Sequence, residues 1–245
     1  KAALARHGTD SIRRFTGRTY TTDQMVFSSI GNFSVTTARD TAARYLAERH
    51  TPTRSFQRAV PAVTPAFEKV LNKHTHQVHC IVGARAYDIN DERRVPLSLL
   101  VNILGGPSAN SLLNVLLREK NGLSYNIEAS YSPYNDCGFV AIYFSSEHDN
   151  ADQCRELIAR QIDLMRRETL SARRLSMAKK QFLAQMAISM ENNESYMLGA
   201  GKSLLMHDDI DTLEEVYRKV AAVTAQQITD VANEIFSTTS MLMYK

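Results

Sequence analysis

Two neighbouring segments of alternating apolar and polar residues constrain the fold of this chain most. Over eight positions an apolar set, Tyr125, Ile127, Ala129 and Tyr131, alternates with a polar set, Asn126, Glu128, Ser130 and Ser132. A second strand-like segment runs from about Phe139 to Ser145, and the turn-forming stretch PYNDCG separates the two. Because successive side chains of a strand point to opposite faces, the pattern predicts a hairpin with one apolar face.

Three further segments favour β-structure. The stretch from Gln24 to Gly31 is typical of a buried strand, and the stretch from Gln77 to Tyr87 is rich in β-forming residues. The sequence SMLMY near the C-terminus predicts a closing strand. Strands therefore cluster, without the strict alternation with helices that is typical of parallel α/β proteins.

Hydrophobic periodicity and capping residues predict the helices. Asp10 is expected to cap a helix that runs to about Arg18, and Ser108 to cap a helix that carries Leu112, Val115 and Leu116. Further helices are predicted from Thr36 to Glu48, from about Asp91 to Leu104 with Gly105-Gly106 at its end, and from Ser171 to about Asn192. Two apolar stripes at helical spacing predict helices as well: Ala151, Cys154, Ile158, Ile162 and Met165, and Ile228, Val231, Ala232 and Ile235. The pairs Asp211/Glu214 and Thr224/Gln227 have the spacing of a capping box at the start of a helix.

The two ends of the chain resemble each other without a gap, which predicts a tandem duplication. IRRFTGRTYTTDQMVFSS, which starts at Ile12, aligns with ITDVANEIFSTTSMLMYK, which starts at Ile228. We accordingly predict that residues 1–49 are the tail of a first unit, that the proline-containing residues 50–65 are a linker, and that residues 66–245 form the second unit. The predicted fold class is α+β, with a mainly antiparallel sheet and helices packed on one face.

Composition excludes several classes of function. A net charge of +3 over 245 residues, with neither a basic stripe nor an RNA-binding aromatic motif, argues against nucleic acid as a partner. No apolar run approaches the roughly 20 residues that a membrane span needs, so no membrane partner is expected. The three cysteines form no CxxC pair, which favours buried or incidental thiols over a disulfide framework. Because the chain begins with Lys1, we expect that it is truncated and that any targeting signal lies upstream.

Arg118 and Tyr125 stand on either side of Gly122, where the predicted helix gives way to the first hairpin strand. Arginine offers several permanently protonated donors that suit a peptide carbonyl or a carboxylate. A tyrosine hydroxyl can donate to an oxyanion as it develops in acyl transfer. A purely structural interpretation also stands, because cations in the last turn offset the helix dipole and tyrosines are common in strands.

The segment GGPSANSLLNVLLREKNGLSYNIEASYSPYNDCGFVAIYF resembles the C-terminal half of insulinase/pitrilysin-like zinc metallopeptidases, which include mitochondrial processing peptidase. The resemblance lies in a Gly-Gly-x-Ser helix start, Leu-Arg-Glu-Lys before Gly-Leu-x-Tyr, and a hairpin with a glycine before its second strand. It implies the second unit of a tandem duplicated peptidase fold. It also implies that Arg118 and Tyr125 bind the substrate carbonyl and stabilise the transition state.

The metal motif of that family, H-x-x-E-H on a helix, occurs nowhere in the chain. The resemblance therefore implies that Zn²⁺ is bound outside this chain, in the missing unit, and that the chain alone is inactive. No metal site is expected here, because His74 and His76 of HTHQVH could share a face of a strand while His79 would point to the other side.

Three functions remain open at the level of sequence, and the third is that of an unrelated α+β binding domain. In the first, the chain is the C-terminal unit of a zinc endopeptidase that hydrolyses peptides or small unfolded proteins in an enclosed chamber. In the second, it belongs to a non-catalytic partner or scaffold subunit of the same fold. The expected partners are peptide substrates and the missing N-terminal unit or a homologous subunit, with a homodimer also open, and a bacterial cytoplasmic or periplasmic location is expected.

Overall fold

The computed structural model describes residues 3–46, 59 and 61–245, which divide into two compact units. One unit contains residues 3–46 and 59 together with residues 187–211, and the other contains residues 61–186 and 212–245. Most of the linker predicted at residues 50–65 lies outside the described residues. The division into a first-unit tail and a second unit remains a prediction, and residues 187–211, assigned above to the second unit, group with the N-terminal segment.

The described residues contain eight α-helices, five β-strands and one π-helix, besides three short 3₁₀ turns. The strands are β1 (Glu68–Leu71), β2 (Val78–Ala86), β3 (Ser124–Pro133), β4 (Gly138–Ser146) and β5 (Ser240–Tyr244). The helices are α1 (Thr9–Thr19), α2 (Val35–Leu46), α3 (Arg94–Gly105), the π-helix (Asn114–Lys120), α4 (Ala151–Arg167), α5 (Ala172–Glu191), α6 (Asn193–His207), α7 (Leu213–Ala222) and α8 (Ala225–Ile235).

The buried strand predicted from Gln24 to Gly31 is wrong. The segment is a 3₁₀ turn, Thr22–Gln24, followed by irregular chain, and Phe27 is 55% exposed. A strand needs a neighbour to satisfy its backbone groups, and the described part of this unit contains no strand.

The sheet belongs to the larger unit and has the strand order β1-β5-β2-β4-β3. All neighbouring pairs are antiparallel except β1 and β5, which are parallel. The predicted hairpin is confirmed as β3 and β4, and the predicted strands at Gln77–Tyr87 and SMLMY are confirmed as β2 and β5. The mainly antiparallel α+β class is therefore correct, although the short strand β1 was not foreseen.

One face of the sheet is covered by helices, as predicted. α3 packs on β3 and against α8, while α4 packs against α8 and β4. All five residues of the predicted stripe on α4 are buried, and so are all four of the stripe on α8. The core between these helices and the sheet includes Ile142 and Phe144 of β4, which have no exposed surface. This packing fixes the position of β3, which carries Tyr125, beside the π-helix that carries Arg118.

Three of the predicted helix caps differ from the structure. α1 begins after Gly8, so Asp10 lies in its first turn instead of capping it. The hydroxyl of Ser108 accepts a hydrogen bond from Gln185, and the amide of Ser111 donates to the Ser108 carbonyl in a turn before the next helix.

The capping box predicted at Asp211/Glu214 lies one residue later, where the Thr212 side chain accepts from the amide of Glu215. The capping box at Thr224/Gln227 is confirmed.

Candidate functional site

The helix that carries Arg118 ends as a π-helix of seven residues. π-Helical segments are rare and frequently lie at functional sites. Leu117 is fully buried, whereas the side chain of Arg118 is 52% exposed. The apolar neighbour therefore anchors the turn in the core while the guanidinium remains accessible to solvent.

Gly122 reverses the chain after this helix, as predicted. Its φ of 61° lies in the left-handed region, which a glycine adopts without the steric cost that a Cβ would bring. The amide of Gly122 donates to the Arg118 carbonyl at 3.1 Å, and the amide of Leu123 donates to the Leu117 carbonyl at 2.8 Å. These bonds tie the start of β3 to the last turn of the π-helix, so the segments that carry Arg118 and Tyr125 are held together.

Tyr125 projects from the sheet because of an irregularity in the pairing of β3 with β4. Ser124 pairs with Ser146 and Asn126 with Ser145, so Tyr125 has no partner of its own in the register. Such a bulge turns a side chain away from the alternation of the strand. Ser124 is buried, whereas Tyr125 is 59% exposed. The alternation rule placed Tyr125 on the apolar face with Ile127, and the bulge makes that part of the prediction wrong.

Arg118 and Tyr125 each interact with a carboxylate, through an ion pair and a hydrogen bond respectively. The Arg118 Nε lies 3.0 Å from the Glu119 Oε1, in an ion pair whose side chains are both about half exposed. The Tyr125 hydroxyl donates to the Glu147 Oε1 at 2.6 Å. This hydrogen bond, together with the negative charge of the same carboxylate, raises the pKa of Tyr125 above its ordinary value.

Glu147 was not identified from the sequence. It follows directly after β4 and leads into α4 through the turn His148–Asn150. Counting outward from the hairpin turn would have placed it beside the first residues of β3, because residues of an antiparallel pair face each other in reverse order. The signal was therefore present in the register of the hairpin.

The three histidines of HTHQVH lie in different surroundings. His74 and His76 precede β2 and are exposed, and the His79 Nδ1 lies 2.8 Å from the Tyr143 hydroxyl. Within the described part of the chain, no group of three or more His, Cys, Asp or Glu side chains is placed to hold a metal ion. All three cysteines are free thiols, and Cys80 and Cys154 are buried.

The fold and these motifs together define the class of protein to which the chain belongs. The family described as "Peptidase M16 inactive domain" matches residues 9–182, and the chain belongs to this family. It is therefore an insulinase-like C-terminal domain, as the resemblance in the sequence implied. Over 237 residues it is 28% identical to an uncharacterized zinc protease, YmxG, of Bacillus subtilis, an alignment covering 96% of this chain and 56% of the relative. An uncharacterized zinc protease of Streptomyces coelicolor is 27% identical, with coverage of 92% and 50%. The chain thus spans about half the length of these relatives.

Solved structures share the fold. A peptidase M16 inactive domain from Pseudomonas fluorescens superposes with a TM-score of 0.85 at 19% identity, over 98% of this chain and 58% of that one. A chain of complex III2 from Candida albicans superposes with a TM-score of 0.82 at 13% identity, over 96% of this chain and 58% of that one. At these identities the likeness concerns the fold alone. Among the described helices, none is long and apolar enough to cross a bilayer.

Proposed function

We propose that this chain is the metal-free C-terminal unit of a zinc-dependent endopeptidase and that Arg118 and Tyr125 contact its substrate. The observation that carries this proposal is the accessibility of both side chains, on segments tied together by the Leu123–Leu117 hydrogen bond, in a domain of a peptidase family. A helix end and a paired strand that are hydrogen-bonded to each other form a rigid support for two polar groups that must meet a flexible peptide.

Arg118 is suited to hold a substrate carbonyl. Its guanidinium keeps its charge at every physiological pH and presents five donors in a planar fork. The ion pair with Glu119 is half exposed, and exposed pairs of this kind contribute only about 0–1 kcal/mol. A peptide carbonyl can therefore replace Glu119 as the partner of Arg118 at little cost.

Tyr125 is suited to stabilise negative charge on the oxygen of the peptide bond under attack. Its hydroxyl has one proton to donate, and preorganised donors at such an oxygen are worth roughly 100- to 1000-fold in rate. The role requires a free hydroxyl proton, because a tyrosine that donates elsewhere can only accept.

The zinc ion has no site in the residues described here. The chain contains no H-x-x-E-H sequence, and its described residues bring together no suitable set of ligands. The curated relatives, which are about twice as long, are named zinc proteases. We therefore assign the metal, its activated water and the general base to a homologous unit outside this chain, and we expect the chain alone to be inactive.

The face of the sheet opposite the helices supports a role as one wall of a substrate chamber. Opposite the helix-covered face, β2 and β4 present Ile81 and Phe139, which are 44% and 43% exposed. Exposed apolar side chains on a sheet suit contact with unfolded peptides, whose own apolar groups are accessible. The substrates proposed are accordingly peptides or small unfolded proteins.

The test is Arg118→Ala and Tyr125→Phe in the intact protein, assayed with an unstructured peptide. Tyr125→Phe should lower kcat/KM by roughly 100- to 1000-fold. Arg118→Ala should lower kcat/KM as well, and neither variant should change the zinc content. Arg173→Ala and Tyr45→Phe are matched controls, since both residues are exposed at other places in the fold. Unchanged cleavage by both site variants would contradict the assignment of these residues.

The alternative is a non-catalytic partner or scaffold subunit. The likeness to a complex III2 chain shows that this fold also occurs within a large assembly. Absence of zinc and of peptide cleavage in the intact protein, combined with peptide binding that depends on Arg118, would favour a substrate-holding partner over the enzyme.

A further inference from the structure

We propose that the Glu147 carboxylate binds the Tyr125 hydroxyl between turnovers and competes with the substrate for its proton. The inference rests on the proposed function of Tyr125. It starts from the contact between the Tyr125 hydroxyl and the Glu147 Oε1, which are 2.6 Å apart.

The direction of this hydrogen bond follows from the chemistry of the two groups. An ionised carboxylate has no proton to give, so the phenol is the donor and its only proton points at Glu147. Hydrogen bonds from a hydroxyl to a carboxylate are short and stronger than those between neutral groups. In this arrangement the Tyr125 oxygen can accept but cannot donate to a substrate.

The backbone places the two exposed residues near each other. The bulge at Tyr125 turns the phenol outward, and Glu147 follows Ser146, which pairs with Ser124 at the start of the same strand. The next residue after Glu147 is also anchored, because the His148 Nε2 lies 3.0 Å from the Thr75 carbonyl oxygen. Both partners are therefore fixed at adjoining strand ends.

Catalysis then requires an exchange of partners. When a substrate oxygen arrives, Tyr125 must release Glu147 before it can donate to that oxygen, and the carboxylate becomes hydrated. The charge of Glu147 also opposes a developing oxyanion beside it, since like charges repel. Glu147 binds the phenol between turnovers, so each turnover must first break this hydrogen bond.

Removing the carboxylate should therefore favour the reaction. In the intact protein we expect Glu147→Ala to raise kcat/KM by about two- to tenfold, the factor that corresponds to one exposed hydrogen bond. Glu147→Gln should raise it less, because the neutral amide keeps the length of the side chain but binds the proton more weakly. Neither change should alter kcat/KM in a protein that already carries Tyr125→Phe. Glu156→Ala is the control, because Glu156 is an exposed carboxylate on α4.

A spectroscopic measurement reads the same contact without any activity. With ¹³C at the ζ carbon of tyrosine, the signal that disappears in Tyr125→Phe reports the titration of Tyr125. Its midpoint should move to lower pH in Glu147→Ala and stay unchanged in Glu156→Ala. An unchanged midpoint, a fall in kcat/KM, or an equal effect in the Tyr125→Phe background would each overturn the proposal.

Failure of the proposed function gives a different pattern. If the intact protein cleaves no peptide, its affinity for a fluorescein-labelled unstructured peptide replaces kcat/KM as the second measurement. Tighter binding in Glu147→Ala, abolished by Tyr125→Phe, would support the competition for the proton even then. Unchanged affinity together with an unchanged midpoint would refute it.

Discussion

Replacing Arg93 by methionine should destabilise the larger unit, because this arginine joins α8 to the segment between β2 and α3. Arg93 precedes α3 and donates to both carboxylate oxygens of Asp91 and to both of Glu234 on α8. Its guanidinium also lies 4.2 Å from the centre of the Tyr87 ring, and the Tyr87 hydroxyl donates to Glu234 at 2.8 Å. Methionine keeps the apolar stem and removes the charge.

The expected loss follows from these contacts. Arg93 and Glu234 are each 53% exposed, so the two ion pairs are worth only about 0.5 kcal/mol each. The cation–π contact adds about 0.5–1 kcal/mol. Arg93→Met should therefore lower the free energy of unfolding by about 1.5–2 kcal/mol. Tyr87→Phe should lower it by about 1 kcal/mol, the typical value for one hydrogen bond.

Urea unfolding of the chain at low and high salt tests this reasoning. In 1 M NaCl the Debye length is about 3 Å, so roughly half of the loss in Arg93→Met should disappear. Because Arg93 and Tyr87 share Glu234, their effects should differ from additivity by at least about 0.5 kcal/mol. Arg167→Met, which removes an exposed pair with Asp163, should cost about 0.5 kcal/mol or less and is the control. Strict additivity, or a loss that is independent of salt, would refute the network.

Three other predictions concern glycines and thiols. Gly138→Ala should lower the free energy of unfolding by about 2–3 kcal/mol, because a Cβ there would overlap the Tyr87 carbonyl oxygen. Gly122→Ala should lower it by only about 1 kcal/mol, because a Cβ there meets no neighbour and only the positive φ is unfavourable. Equal losses of the two variants in urea unfolding would contradict this prediction. Ellman's reagent should label one thiol, Cys137, in the native chain and all three in urea. Burial raises the pKa of Cys80 from 9.0 to about 12. The stability that the neutral Cys80 thiol contributes is therefore complete below pH 9 and is lost as the pH rises toward 12. A Cys80→Ala chain whose free energy of unfolding falls equally between pH 9 and 12 would contradict the assignment of this loss to Cys80.

The parts of the fold that could be predicted are those set by local periodicity. The stripe through Cys154 and Ile158 and the box at Thr224/Gln227 depend on residues within a few positions of each other, and all were found where expected. The hairpin β3–β4 has the same property, because its turn and its two alternating patterns adjoin.

Non-local pairing explains what could not be predicted. β1 has four residues, is mostly exposed, and is a strand only because it pairs with β5 at the other end of the chain. The segment from Gln24 to Gly31 shows the reverse case, since its apolar residues favour a strand but no described strand of its unit is available to pair with it. An apolar segment indicates a strand only when its partner is also present.

At the candidate site the chain departs from the regular alternation of a strand and from the regular end of an α-helix. The departure in the strand makes the Tyr125 phenol accessible. Strict alternation would bury Tyr125 with Ile127 on the covered face, and an ordinary helical end would not carry a seven-residue π-helix before Gly122. One extra residue in β3 is sufficient to turn the phenol outward and to bring it to Glu147. Deleting Asn126 would restore regular pairing by placing Tyr125 opposite Ser145, on the face of the sheet away from Ile127. Because the phenol would then leave the bulge, that variant should lose the hydrogen bond to Glu147.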